Sequence, residues 1–139
     1  MILVDSSVWI DYFNGNHTPQ TDLLDHCLST IPIIIGDLIL TEVLQGFRLD
    51  KDYQTAKTFL SHLQFHHIGG YEVALQSAQI YRSLRRKGVT VRKTIDVIIA
   101  GYCIVQGLTL LHDDRDFIPI ADHFPLKIAG HRGRIGVTK

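Results

Sequence analysis

Short, unbroken apolar runs are the feature that most constrains the fold of this 139-residue chain. The unbroken ones lie at residues 2–4 and 31–35, and similar segments with a polar or charged residue inside them lie at 65–68, 108–111 and 126–128. Segments with helical periodicity separate the runs. Strands that are apolar on both faces are typical of parallel sheets covered by helices on both sides. The sequence therefore predicts a three-layer α/β/α fold with a central, mainly parallel sheet of about five strands.

Composition places the chain among ordinary globular proteins. Hydrophobic residues make up 45% of it, which is enough for one core, so we expect a single domain over residues 1–139. The 14 acidic and 14 basic residues balance, so no global field draws the protein to nucleic acid or membrane. Two distant cysteines in apolar stretches indicate reduced core thiols. Because the sequence shows neither a signal-peptide pattern nor a long apolar segment, we expect a cytoplasmic protein.

Helix boundaries can be read from capping patterns. Thr18 and Pro19 fit the N-cap and first position of a helix that runs to about residue 29. Ser6-Ser7 and Asp37 fit the starts of two others. Further helices are predicted over 38–47, 50–63, 71–87 and 94–106.

Carboxylates follow the predicted strands. Asp5 comes directly after the first strand, and a group of three acids, Asp113, Asp114 and Asp116, follows the fourth. The carboxyl ends of parallel strands carry the functional site in open α/β sheets. Two further acids, Glu42 and Asp96, interrupt otherwise apolar helices, where a carboxylate is costly unless it reaches a partner or solvent.

Each acid also has an ordinary structural interpretation. Asp5 could be a turn or capping residue, and Asp96 could complement the positive end of its helix dipole. The three acids between 113 and 116 could belong to a solvated turn. Taken together, four acids at strand ends and helix starts repel each other unless a cation compensates them. Oxygen ligands of this kind suit Mg²⁺ or Mn²⁺, and no zinc motif is present.

Four segments of the chain resemble the motif blocks of PIN-domain ribonucleases, and most of all the VapC toxins of type II toxin–antitoxin modules. The resemblance spans nearly the whole chain, in order and at normal spacing. The segments are Ile2 to Asp11, Leu40 to Gly46, Thr94 to Ala100 and Thr109 to Phe117.

The resemblance implies a metal-dependent endoribonuclease that hydrolyses RNA with a water activated by Mg²⁺ or Mn²⁺. It assigns the catalytic and metal-binding acids to Asp5, Glu42, Asp96 and Asp114, and a supporting role to Ser7. Because three acids crowd the last block, Asp116 is an alternative to Asp114. The resemblance also implies a cognate VapB-type antitoxin and a homodimer.

A basic stretch points to an anionic substrate independently of the resemblance. No acid lies between Glu72 and Asp96, and six of the 14 basic residues fall within residues 82–93. A solvated helix end is the ordinary alternative. The residues predicted to bind RNA phosphates are Arg85, Arg86, Lys87, Arg92 and Lys93. His131, Arg132 and Arg134 add a basic segment near the end of the sequence.

Other classes of protein also place an aspartate after the first strand. A haloacid-dehalogenase phosphatase needs a second Asp two positions later, where Ser7 stands. A response-regulator receiver needs an Asp after a central strand and a Lys after a late one, and neither is evident. Two alternatives remain. One is a non-catalytic PIN-like module that binds RNA or protein, and the other is a PIN nuclease of RNA processing outside a toxin–antitoxin module.

Overall fold

The computed structural model describes residues 1–130, and its five strands form one sheet. The strands are β1 (Ile2–Val4), β2 (Ile33–Gly36), β3 (Gln64–His66), β4 (Thr109–Leu111) and β5 (Lys127–Ile128). Their order across the sheet is β3-β2-β1-β4-β5. β1 pairs with β2, β2 with β3, and β4 with β5, and each of these pairs is parallel. The predicted α/β fold with a five-stranded parallel sheet is confirmed.

Seven α-helices alternate with these strands in the described part of the chain. They are α1 (Ser6–Phe13), α2 (Pro19–Leu28), α3 (Asp37–Leu44), α4 (Asp50–Leu60), α5 (Tyr71–Arg86), α6 (Thr94–Gln106) and α7 (Ile118–His123). A short 3-10 helix, Arg115–Phe117, precedes α7. None of the helices described is long and apolar enough to cross a membrane.

The apolar runs of β1 and β2 form strands because both of their faces are buried. Every residue of β1 and of β2 is buried, as the absence of an alternating polar face predicts. Ile2 lies opposite Ile33 and Leu3 opposite Ile34, which sets the register of this pair. The carboxyl ends of β1 and β2 then lead directly into α1 and α3, the helices that carry the first candidate acids.

The chain divides into two compact units, and the first comprises residues 1–67 with 111–113. Its core includes the fully buried Trp9, whose ring stacks on Phe13 with a centroid distance of 5.8 Å. Phe59 of α4 lies edge-on to both rings. These aromatic contacts fix α1 against α4 and thereby hold the helix that follows Asp5.

Within the described chain, the second unit comprises residues 68–110 and 114–130. Its main contact is between α5 and α6, where Gly101 permits close approach of the helices. A Cβ on Gly101 would lie 2.7 Å from Oγ of Ser77. This packing holds α6, and with it Asp96, against α5. The single domain over residues 1–139 stays a prediction.

Two expected helix caps are wrong, and two short elements are not predicted at all. Asp5, and not Ser6-Ser7, caps α1, because its carboxylate accepts the backbone N–H of Ser7. Asp37 is the first residue of α3, with Gly36 at the N-cap, although its carboxylate does accept the N–H of Leu38 at 2.8 Å. The 3-10 helix and α7 are not predicted, because segments of three and six residues are too short to show a helical period. The Thr18 cap is confirmed as a full capping box.

Candidate metal centre

Asp5 is a buried carboxylate held in a fixed orientation. It is only 2% exposed. Its Oδ2 accepts hydrogen bonds from the backbone N–H of Ser7 at 3.1 Å and from Oγ of Ser7 at 2.6 Å. The same Ser7 oxygen accepts the N–H of Asp113 at 3.0 Å, and the N–H of Asp5 donates to the carbonyl of Leu111 at 2.9 Å. Residues 111–113, which continue from β4, are therefore tied to the start of α1.

Glu42 is half-buried on α3, and its carboxylate meets a hydroxyl. Oγ of Ser6 donates to Oε1 of Glu42 over 3.1 Å, although the two residues are 36 positions apart in the chain. This hydrogen bond is one of the polar contacts that a carboxylate in the middle of an apolar helix requires. The first unit thus contains two oriented acids, Asp5 and Glu42, each bonded to a serine of the first turn of α1.

The second unit contains three aspartates whose carboxylates face one another, and we call Asp96, Asp114 and Asp116 the aspartate cluster. One carboxylate oxygen from each lies within 4.8 Å of the others. Asp96 is 3% exposed, in the first turn of α6. Asp114 caps the 3-10 helix by accepting the N–H of Asp116 at 2.9 Å. This cap turns the chain so that the carboxylates of Asp114 and Asp116, which are separated by one residue, lie in the same cluster.

Two consecutive cations, Arg92 and Lys93, face the aspartate cluster. Nζ of Lys93 lies 2.9 Å from Oδ2 of Asp114 and 3.4 Å from Oδ2 of Asp96. Arg92 pairs with Oδ1 of Asp116 at 3.2 Å. The hydrogen bond to Asp114 raises the pKa of Lys93 above its ordinary value, and the charge of Asp96 adds to this against the opposing effect of burial. Lys93 is therefore a firmly charged ammonium.

The remaining predicted RNA-binding residues are exposed at the end of α5. Arg85, Arg86 and Lys87 all face solvent. The Arg85 guanidinium lies 5.7 Å from the centre of the Tyr81 ring, and Nζ of Lys87 lies 6.0 Å from that of Phe124. Their charges are accessible to a polyanion. The basic segment of His131, Arg132 and Arg134 lies outside the described residues.

The aspartate cluster fits a hard divalent cation. It offers three carboxylates. Within residues 1–130 the ion pairs described for them are formed by two monovalent cations, Arg92 and Lys93. Oδ2 of Asp116 is buried, and no group in that range forms a hydrogen bond with it. Clustered aspartate oxygens are the donors that Mg²⁺ and Mn²⁺ prefer in proteins. Such an ion would place two further positive charges among three carboxylates and so reduce their mutual repulsion.

Comparison with known proteins decides the family. A family model described as the PIN domain matches residues 2–122, which is most of the chain. This chain belongs to the PIN-domain family. Ribonuclease VapC11 of Mycobacterium tuberculosis and VapC ribonuclease Mb1587 of Mycobacterium bovis are each 31% identical to it over 134 residues. The alignments cover 95% of this chain and 100% of each relative, so the chain falls among the VapC ribonucleases.

Solved structures support the same PIN fold. The DNA-bound VapBC structure from Salmonella typhimurium matches with a TM-score of 0.71 at 22% identity, over 91% of this chain and 95% of that one. VapBC2 from Rickettsia felis, bound to a DNA fragment from its promoter, matches with a TM-score of 0.70 at 18% identity, over 86% and 92%. Membership of the PIN family excludes the phosphatase and receiver interpretations.

The PIN-domain structure also shows residues that the sequence argument missed. Ser6 was read only as a helix cap, and yet it donates to Glu42. Arg92 and Lys93 directly precede the helix of Asp96, which predicts that they border the acidic site as well as bind phosphates, and both contact the aspartate cluster. One signal was available, because Lys93 precedes Asp96 by three residues, the spacing at which helical side chains meet. No sequence signal points to the Ser6–Glu42 contact.

Proposed function

We propose that this VapC-type ribonuclease is a metal-dependent endoribonuclease and the toxin of a VapBC module, and that it hydrolyses RNA phosphodiester bonds with Mg²⁺ or Mn²⁺. The aspartate cluster is the observation that carries the proposal. Three carboxylates within 4.8 Å in a PIN-domain ribonuclease favour a divalent cation over any organic cofactor. Such an ion, when bound, activates a water and offsets the charge that develops on the phosphoryl group.

We assign the chemistry to Asp5, Glu42, Asp96 and Asp114. Asp96 and Asp5 are the most buried of the acids, at 3% and 2% exposed, and we assign them as principal ligands. Glu42 and Asp114 would hold a second ion or its water shell. Ser7 positions Asp5 through the 2.6 Å hydrogen bond to Oδ2. A carboxylate whose rotamer is fixed in this way loses little entropy when it binds an ion or orients a water.

The RNA backbone is assigned to the basic residues Arg85, Arg86, Lys87, Arg92 and Lys93. The first three are exposed at the end of α5 and free to meet phosphates. Arg92 is 74% exposed in its side chain even though it pairs with Asp116, so its guanidinium has room for a second anion. Phosphate contacts of this kind supply affinity without sequence preference.

We further propose a VapB-type antitoxin as partner, a homodimer as the working form, and a cytoplasmic location with no membrane association. The structural neighbours support the first of these, because several of them are VapBC complexes. A toxin that cleaves RNA requires a partner to restrain it in its own cell, and the RNA it meets is in the cytoplasm.

The experiment that tests the proposal is RNA cleavage with and without the metal. The purified chain should cut RNA in Mg²⁺ or Mn²⁺, and EDTA or Asp96→Asn should reduce the rate by at least ~10³-fold, because metal activation supplies several kcal/mol of the barrier reduction. Asp25→Asn, an exposed aspartate of α2, is the matched control and should cut normally. Full activity in EDTA, or a 2′,3′-cyclic phosphate product, would overturn the metal assignment. RNA binding without cleavage would instead favour the non-catalytic module.

A further inference from the structure

We propose that Lys93 is the built-in counter-cation of the aspartate cluster, and that a divalent metal ion binds by displacing its ammonium. The inference rests on the proposed metal site, and it changes the role of Lys93 from a phosphate-binding residue to a positioning residue. In the structure the ammonium bridges two of the three carboxylates. It stands 2.9 Å from Asp114 and 3.4 Å from Asp96.

Geometry distinguishes Lys93 from the other cations of the basic stretch. Its Nζ meets the carboxylates of two residues that are far apart in the sequence, one from α6 and one from the turn after β4. Arg92 meets only Asp116 among the pairs described, and Lys87 contacts the face of an aromatic ring. Lys93 is therefore the cation placed to hold Asp96 and Asp114 at ligand distance from each other before any metal arrives.

Lys93 is also placed to leave. Its side chain is 50% exposed, while those of Asp96 and Asp114 are 4% and 18% exposed. The ammonium sits on a flexible four-carbon stem that can swing into solvent, whereas the two carboxylates stay in the protein. A dication exchanges with a monocation at a net gain of one charge, so metal binding relieves repulsion that Lys93 leaves in place.

The exchange has two measurable consequences. Removing the charge of Lys93 should lower the stability of the metal-free protein, because Asp96 is buried and loses a neighbouring cation. The same change should strengthen metal binding, because the ion no longer competes with an ammonium. A lysine with a purely structural role would give the first effect without the second.

The first experiment measures Mn²⁺ binding by calorimetry in the wild type, in Lys93→Met and in Lys127→Met. Lys127 is an exposed lysine of β5 and serves as the matched control. We expect Lys93→Met to bind Mn²⁺ about tenfold more tightly than the wild type, and Lys127→Met to bind it equally. Unchanged or weaker binding by Lys93→Met, with normal binding by the wild type, would overturn the inference and leave the proposed function standing. If none of the three binds Mn²⁺, both fail.

The second experiment needs no variant and covers the case in which Lys93→Met does not fold. The wild-type protein is acetylated briefly with and without Mn²⁺, and each lysine is quantified by mass spectrometry. We expect Lys93 to be protected in the metal-free protein and to become several-fold more reactive with Mn²⁺, while Lys127 and Lys57 do not change. The proposal would be overturned if Lys93 reacted as fast as Lys127 without metal, or if Mn²⁺ did not change the acetylation rate of Lys93.

Discussion

Oγ of Ser7 lies 2.6 Å from Oδ2 of Asp5 and donates to it, so the residue two positions after a buried acid sets the rotamer of that acid. The same oxygen accepts the N–H of Asp113 at 3.0 Å, so the Ser7 hydroxyl donates one hydrogen bond and accepts another. One serine therefore links the acid at the end of β1 to the chain that leaves β4.

Ser7→Ala should weaken RNA cleavage more than it weakens the fold. Asp5 keeps the backbone N–H of Ser7 at 3.1 Å, so the cap on α1 survives and the free energy of unfolding falls by only about 1 kcal/mol. The carboxylate loses the hydroxyl that orients it, and loss of an orienting partner of a metal ligand typically reduces activity by about 10–100-fold. Cleavage rates and urea unfolding measure the two effects.

Two variants make the Ser7 experiment specific. Ser7→Thr keeps the hydroxyl and should retain most of the activity. Ser61→Ala removes an exposed hydroxyl that donates to the carbonyl of Thr58 at 2.6 Å, and should leave the cleavage rate unchanged. Equal activity in Ser7→Ala and the wild type would show that Asp5 needs no support from this hydroxyl.

Gly101→Ala should destabilise the protein through the contact between α5 and α6. The new Cβ would lie 2.7 Å from Oγ of Ser77, which is buried, so either the hydroxyl or the helices must shift. Overpacking of this kind costs about 1–3 kcal/mol, even though alanine is the better helix former by up to about 1 kcal/mol. Urea unfolding should show a lower midpoint.

Removing the opposing hydroxyl should reverse the effect of Gly101→Ala. The next nearest atoms to the new Cβ are both 3.7 Å away, at ordinary contact distance. The double variant Gly101→Ala with Ser77→Ala should therefore be more stable than Gly101→Ala alone, with a favourable coupling energy. A double variant no better than the single one would mean that the strain lies elsewhere in α6.

The sequence predicted the elements that local chemistry decides. The apolar runs of β1 and β2 specify strands because both of their faces are buried, and Thr18 with Pro19 specifies a helix start. The candidate acids could be found for the same reason, since a charged residue beside an apolar run stands out without any knowledge of the fold. Identifying their partners required the structure. The ion pair of Arg92 with Asp116 joins residues 24 positions apart, and the contact of Ser6 with Glu42 joins residues 36 apart.

Magnesium should raise the melting temperature of the wild-type protein and leave that of Asp96→Asn nearly unchanged. An ion that binds only the folded state stabilises it by about 2.7 kcal/mol at a hundred times its dissociation constant. Asn keeps the shape of Asp96 but removes a charge from the aspartate cluster. A Mg²⁺ titration followed by thermal unfolding measures this, with Asp25→Asn as control. A wild-type melting temperature unmoved by Mg²⁺ would contradict the site.

Among the three acids after β4, Asp114→Asn should reduce RNA cleavage most. Its carboxylate accepts from Lys93 and from the N–H of Asp116, so it both orders the turn and faces Asp96. We expect a loss on the order of 100-fold for Asp114→Asn and about tenfold for Asp116→Asn, whose charge is already paired with Arg92.

Asp113→Asn is the internal control for this series. Its side chain is exposed, and its contribution to the first unit is the backbone N–H that Ser7 accepts, which the substitution keeps. Cleavage should stay within about twofold of the wild type. If Asp116→Asn were the more damaging variant, Asp116 would replace Asp114 as the fourth acid.

Replacing Arg85, Arg86 and Lys87 by alanine should weaken RNA binding about equally for every sequence and flatten its salt dependence. The three side chains are exposed at the end of α5 and meet phosphates rather than bases in our assignment. Each lost phosphate contact lowers the slope of log K against log salt by about 0.7 on a single strand, so the triple variant should lose about 2. Binding is best measured in EDTA, which prevents cleavage.

The matched control replaces Arg48, Lys51 and Lys57, three exposed cations of the first unit, and changes the net charge by the same amount. If both triple variants lost the same slope, net charge alone would explain the binding. If neither did, the end of α5 would be a solvated helix terminus and the phosphates would bind elsewhere.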